Sequence, residues 1–139
     1  MSENQLRIDI VSDVVCPWCI IGYKHLEHAL ARLEGRFDLE LQWHPFELNP
    51  QMPPGGQNLR EHIIQKYGTT LSDSIAARRK LAGLGAELGF HFDYFDEMRM
   101  YNTFKAHQLL SWAADSGSQT SLKLALFEAY FSRRQNIEE

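Results

Sequence analysis

The chain has 139 residues, 44% of them hydrophobic and 23% charged, with a formal net charge of −4. That length suits one folded unit with its own core, and the composition argues against disorder. The negative balance gives no general pull toward nucleic acid or an anionic membrane, so neither is expected as a partner.

The N-terminus, Met1-Ser2-Glu3-Asn4-Gln5, has neither a basic start nor an apolar run, which predicts a cytoplasmic protein. The first predicted element is a strand, because Leu6-Arg7-Ile8-Asp9-Ile10-Val11-Ser12 alternates and then turns β-branched. From Pro17 the spacing becomes helical, with Ile20, Ile21, Leu26, Leu30 and Leu33 apolar. Pro17 suits a first helical turn, and Gly35 offers a stop. Phe37 to His44 alternates again, as a second strand would. Strand, helix and strand in this order predict a right-handed βαβ unit with parallel strands. The carboxyl ends of parallel strands share one edge, so Cys16 and His44-Pro45-Phe46 are expected to meet there.

Asn49 to Gly56 holds Pro50, Pro53, Pro54, Gly55 and Gly56, and reads as an ordered loop between two parts, 1–56 and 57–139. The second part is helical throughout. Asn58 with Glu61 makes a capping-box-like start before a stop at Gly68. Further helices are predicted from about Ser72 to Leu88, from Asn102 or Thr103 to Ser116, and from Ser118 to Arg133. The last of these presents Leu122, Leu126, Ala129 and Tyr130 on one face. Arg78-Arg79-Lys80 reads as a solvated helix face, and Asp93, Asp96 and Glu97 as a solvated turn. Two strands are marginal alone and leave open edges, so the architecture looks unfinished and a homodimer covering the edge is expected.

The two cysteines, Cys16 and Cys19, lie too close together to form a structural disulfide framework. Disulfide exchange needs one sulfur that ionises near neutral pH and a second that can attack the resulting mixed disulfide. At a helix start, unpaired N–H groups and the dipole favour an anion on Cys16, which makes it the nucleophile. Cys19, one turn later, is the resolving thiol, while Pro17 and Trp18 tune the pair. Two inert buried thiols remain an alternative. Half of a zinc site with His25 and His28 is another, but a first turn that already holds both thiols makes tetrahedral closure awkward, and no metal is expected. His44 either stabilises the thiolate or shuttles a proton there, or it is a strand-end residue bonded to its surroundings. His107 reads as packing, Trp43 as core, and Trp18 as an exposed substrate contact.

Ser12-Asp13-Val14-Val15-Cys16-Pro17-Trp18-Cys19-Ile20-Ile21-Gly22, followed by Trp43-His44-Pro45-Phe46-Glu47-Leu48-Asn49-Pro50, resembles the FrnE-like branch of the DsbA family. Asn102-Thr103-Phe104-Lys105-Ala106-His107 and Leu126-Phe127-Glu128-Ala129-Tyr130-Phe131 match that branch as well. The resemblance implies an α/β, thioredoxin-like (DsbA-type) βαβ unit with an inserted helical subdomain. It also implies dithiol–disulfide oxidoreductase or isomerase activity at Cys16 and Cys19. Members of the family continue into two more strands and a helix, with a cis-proline facing the cysteines; no residue here matches that part, so a C-terminal ββα portion is missing from the pattern. The expected substrates are protein or small-molecule disulfides, with no bound cofactor beyond the cysteine pair and glutathione as a co-substrate. Two other readings stay open: a glutathione-dependent isomerase or transferase of the kappa-like type, and a non-catalytic binding module.

Overall fold

The computed structural model describes residues 5–33 and 35–138. Strand β1 (Gln5–Ser12) follows from its alternation: Leu6, Ile8 and Ile10 turn toward the interior, while Arg7, Asp9 and Val11 face out. Helix α1 (Pro17–Arg32) leads into β2 (Asp38–Pro45), which pairs with β1 in parallel from Gln5↔Asp38 to Ser12↔Pro45. This is the expected βαβ unit. Helix α1 closes at Leu33 rather than at Gly35, and it buries Ile20 and Ile21.

All four expected helices follow, as α2 (Leu59–Tyr67), α3 (Leu71–Leu88), α4 (Phe104–Asp115) and α5 (Gln119–Phe131). Asn58 accepts a hydrogen bond from the Glu61 N–H at 3.2 Å, and α2 stops at left-handed Gly68. The reciprocal capping box forms one helix later, between Thr70 and Asp73.

Two strands were not anticipated. β3 (Gln57–Asn58) pairs antiparallel with β4 (Arg99–Met100), closing a neck around α2 and α3. Two-residue strands carry no periodicity, so side chains and loops hold the neck together. The Leu59 N–H reaches the Met98 carbonyl at 2.7 Å, and the Arg99 guanidinium donates to the carbonyls of Gly55 at 2.7 Å and Gly56 at 2.9 Å. Gly56 sits at φ +71°, where an added Cβ would collide with the Met100 carbonyl.

The core joins the βαβ unit to the helices. Trp43 from β2 stands 6.3 Å from the Phe127 ring, and Phe131 meets Phe90, Phe92 and Tyr130 edge-on. Helix α5 is rotated from the expected face: Gln119, Lys123, Phe127, Tyr130 and Phe131 are buried, whereas Leu122, Leu126 and Ala129 are only half-buried. The α5 sequence is apolar nearly all round, so its spacing leaves the orientation open. Gln119 and Lys123 find partners inside. The Gln119 side chain accepts from the Trp43 N–H at 2.9 Å and donates to the Trp43 carbonyl at 2.9 Å, filling the outer edge of β2 at that point. No helix among the described residues is long and apolar enough to cross a membrane.

Candidate active site

From the last residue of β1 the chain runs through buried Ser12, Asp13, Val14 and Val15. Cys16 then takes the N-cap of α1 at φ −94° and ψ 110°, with Pro17 in the first turn. Proline cannot donate a backbone hydrogen bond, and at this position it has none to lose. The Cys16 N–H donates to the Asp13 carbonyl at 3.2 Å, which fixes the turn. Both cysteines are free and half-buried, and Trp18 beside them is 53% exposed.

The pair is electrostatically asymmetric. The Cys19 thiol is the strongest influence on Cys16: its hydrogen bond favours the Cys16 anion. Burial works against ionisation, while the N–H groups of Cys19 and Trp18 support it, and Asp13 weakly opposes it. The net result brings the Cys16 thiol down to about 7. A thiol at that value is about half ionised at pH 7, against roughly 3% for one at about 8.5. Cys19 is pushed up, first by its hydrogen bond to Cys16 and then by burial. The proton shared by the pair therefore rests on Cys19.

Behind the cysteines lies a carboxylate hub. Asp13 is 1% exposed. Its Oδ1 accepts from the Val14 N–H at 2.8 Å and pairs with His107 Nε2 at 3.1 Å, and its Oδ2 accepts from the Leu48 N–H at 2.8 Å. Burial alone would raise its carboxyl, but the hydrogen bonds from His107, Leu48 and Thr103 prevail and hold it below the usual carboxylate range. One side chain thus ties the cysteine turn to the segment after β2 and to α4. Lys123, 1% exposed, places its ammonium over the rings of Trp43 and Phe127 at 5.2 and 5.4 Å and reaches toward the Ser12 carbonyl at 3.5 Å. Burial brings its ammonium down to about 8, against the charges of Asp13, Cys19 and Cys16.

The segment His44-Pro45-Phe46 does lie beside the end of β1, since the Phe46 N–H donates to the Ser12 carbonyl at 3.2 Å. His44 itself is committed elsewhere: Nε2 pairs with Asp9 Oδ1 at 2.8 Å on the exposed face of the strands, where Arg7 also meets Asp9. That bond is the one the strand-end reading calls for. Phe46 is 51% exposed, and Pro45 is exposed too. His107 is buried, as packing requires, but it packs through its bond to Asp13. His25 and His28 are both exposed on α1. In the basic run, Arg79 and Lys80 are exposed as expected, with the Lys80 ammonium 5.8 Å from the Trp18 ring, whereas Arg78 is half-buried against a cavity.

That cavity, about 330 Å³, opens between Cys16-Pro17-Trp18 and the α2–α3 helices, with Leu59, Ile63 and Leu81 among its walls. Asp13 and Lys123 were not singled out from the sequence. A carboxylate set among apolar residues directly before a cysteine pair was a usable signal for Asp13. A lysine in a helix gives none, because lysine there usually faces solvent.

The family model of the DSBA-like thioredoxin domain matches residues 7–139. The uncharacterized protein YwbO of Bacillus subtilis (strain 168) is 28% identical over 144 residues, which cover 95% of this chain and 60% of YwbO. The crystal structure of a probable DsbA oxidoreductase from Streptomyces coelicolor superposes with a TM-score of 0.86 at 29% identity, covering 94% of this chain and 56% of that one. The chain thus spans somewhat more than half the length of each of these two relatives. With a cysteine pair at the head of α1, a parallel βαβ unit beneath it and a family match along almost its whole length, the chain belongs to the DSBA-like thioredoxin domain family.

Proposed function

We propose that this chain performs thiol–disulfide exchange, with Cys16 as nucleophile and Cys19 as resolving thiol. The observation that carries this is the placement of the two thiols: Cys16 caps α1, is favoured as an anion and opens onto a cavity, while Cys19 keeps the shared proton. The Cys16 thiolate attacks one sulfur of a substrate disulfide, forming a Cys16–substrate disulfide and expelling the other sulfur as a thiolate. Cys19 then gives up its proton and attacks the Cys16 sulfur. The Cys16–Cys19 disulfide forms and the second substrate thiol leaves, so two electrons pass from the protein to the substrate. The Lys123 ammonium favours the Cys19 anion in that second step. Run backward, the same steps oxidise a dithiol, and isomerisation follows when a substrate thiol displaces Cys16 before Cys19 does. Glutathione fits as the co-substrate that resets the pair. A cytoplasmic setting and a homodimer over the open strand edge belong to the same reading.

The test is alkylation of the reduced protein across pH, with insulin reduction alongside. Cys16 is expected to react with a midpoint near 7, and Cys16→Ser to abolish turnover. A folded protein whose Cys16 titrates like a free thiol would overturn the proposal.

A further inference from the structure

The cavity beside Cys16 is about 330 Å³, near the lower end of the roughly 300–1,000 Å³ range of small-ligand sites. Its lining is largely apolar, with three cationic residues, Arg60, Lys66 and Arg78, along it. Lys66 Nζ already donates to the Leu48 carbonyl at 3.2 Å and to Asn49 Oδ1 at 3.0 Å. Arg60 already has partners: Nε donates to Ser74 Oγ at 3.2 Å and Nη1 to Asp96 Oδ1 at 3.3 Å. Arg78 is different. Its Nη1 makes a long contact of 3.4 Å with the Phe95 carbonyl, its guanidinium lies 5.1 Å from the Tyr94 ring centre, and its Nη2 is buried with no hydrogen-bond partner. A buried cationic donor without an acceptor is costly and calls for a reason. A planar guanidinium is best matched by a carboxylate. Cys16 lines the same space, so a ligand on Arg78 shares its cavity with the nucleophile.

We infer that this cavity selects small disulfides with an apolar, aryl-sized body and a carboxylate, seating the carboxylate on Arg78 and one sulfur at Cys16. This rests on the exchange reading above and gives it a substrate class. The Cys16 thiolate displaces one aryl thiolate, Cys19 displaces the second as its proton leaves, and the protein ends oxidised by two electrons.

The probes are 5,5′-dithiobis(2-nitrobenzoate), which carries carboxylates, and neutral 2,2′-dithiodipyridine, each mixed with reduced protein in a stopped-flow instrument. Arg78→Met is expected to slow the carboxylated disulfide at least about tenfold, the size of one charge-assisted hydrogen bond, and to leave the neutral one within about twofold. Arg78→Lys should recover part of the difference. Equal slowing of both probes means that Arg78 acts on the thiolate and overturns the inference, as does no change in either. If wild-type Cys16 reacts with neither probe faster than a free thiol, the exchange reading falls, and the substrate class with it. Should Arg78→Met fail to fold, protection of wild-type Cys16 from alkylation decides the matter. 2-Nitrobenzoate is expected to protect and nitrobenzene not to; equal protection, or none, refutes the carboxylate seat.

Discussion

Replacing Asp13 by asparagine tests the hub behind the cysteines. The carboxylate accepts from Val14 and Leu48 at 2.8 Å each and pairs with His107 at 3.1 Å, all with 1% of Asp13 exposed. Asparagine keeps one oxygen. Its NH₂ must then face either the Leu48 N–H or the Val14 and His107 donors, leaving one or two buried donors without an acceptor. Taking about 2 kcal/mol for each, the expected loss is about 2–4 kcal/mol. For a chain of this size that lowers Tm by roughly 8–16 °C, taking about 4 °C per kcal/mol. The pH dependence adds a second signature. The folded Asp13 carboxyl lies below its usual range, so its contribution is complete above the unfolded carboxyl pKa of about 3.9 and is lost as pH falls through the folded value. Urea denaturation from pH 7 to pH 3 should therefore show a steeper acid decline in the wild type than in Asp13→Asn. A variant within about 1 kcal/mol of wild type at pH 7, or one with an undiminished acid decline, would refute the hub.

Three further outcomes are expected. Because the Cys19 thiol is the largest support for the Cys16 anion, Cys19→Ala should move the alkylation midpoint of Cys16 upward from about 7, and an unmoved midpoint would show that the helix end alone sets it. Lys123→Met keeps the buried stem but removes the cation that favours the Cys19 anion. It should slow resolution, so the Cys16 mixed disulfide accumulates in intact-mass time courses; resolution at the wild-type rate would exclude the role. In Gly85→Ala, the new Cβ would lie 2.6 Å from both the Phe90 carbonyl and the Phe92 ring, so a loss of roughly 1–3 kcal/mol is expected on urea denaturation. Unchanged stability would mean that this part of α3 packs more loosely than described.

The βαβ unit was legible because its strands alternate and Pro17 marks the first turn between them. Gly68 and Gly89 marked the ends of α2 and α3 for an equally local reason, since each adopts a left-handed conformation open to glycine. The sequence left His44 between two readings; in the strand it alternates with buried Trp43 and so meets Asp9 on the outer face. The hub was not readable as a whole, because Leu48, Thr103 and His107 are far from Asp13 in sequence and each residue alone looks ordinary. Lys123 ran against the usual solvent preference of its type. The β3–β4 pair was missed because two residues show no period. The orientation of α5 is set by Gln119 meeting the Trp43 backbone, a contact 76 residues away in sequence.

The β3–β4 neck gathers both connections of the 59–98 segment at one place, with Arg99 binding Gly55 and Gly56 and the Tyr130 hydroxyl holding the Arg99 carbonyl at 2.7 Å. That segment supplies Arg60, Ile63, Arg78 and Leu81, one whole side of the space in front of Cys16. The space beside Cys16 is thus bordered by a segment tied at a joint whose Met100 itself reaches the cavity wall. On the proposed exchange function, the 59–98 residues that shape this space and the turn that favours the Cys16 anion thus occupy separate stretches of the chain.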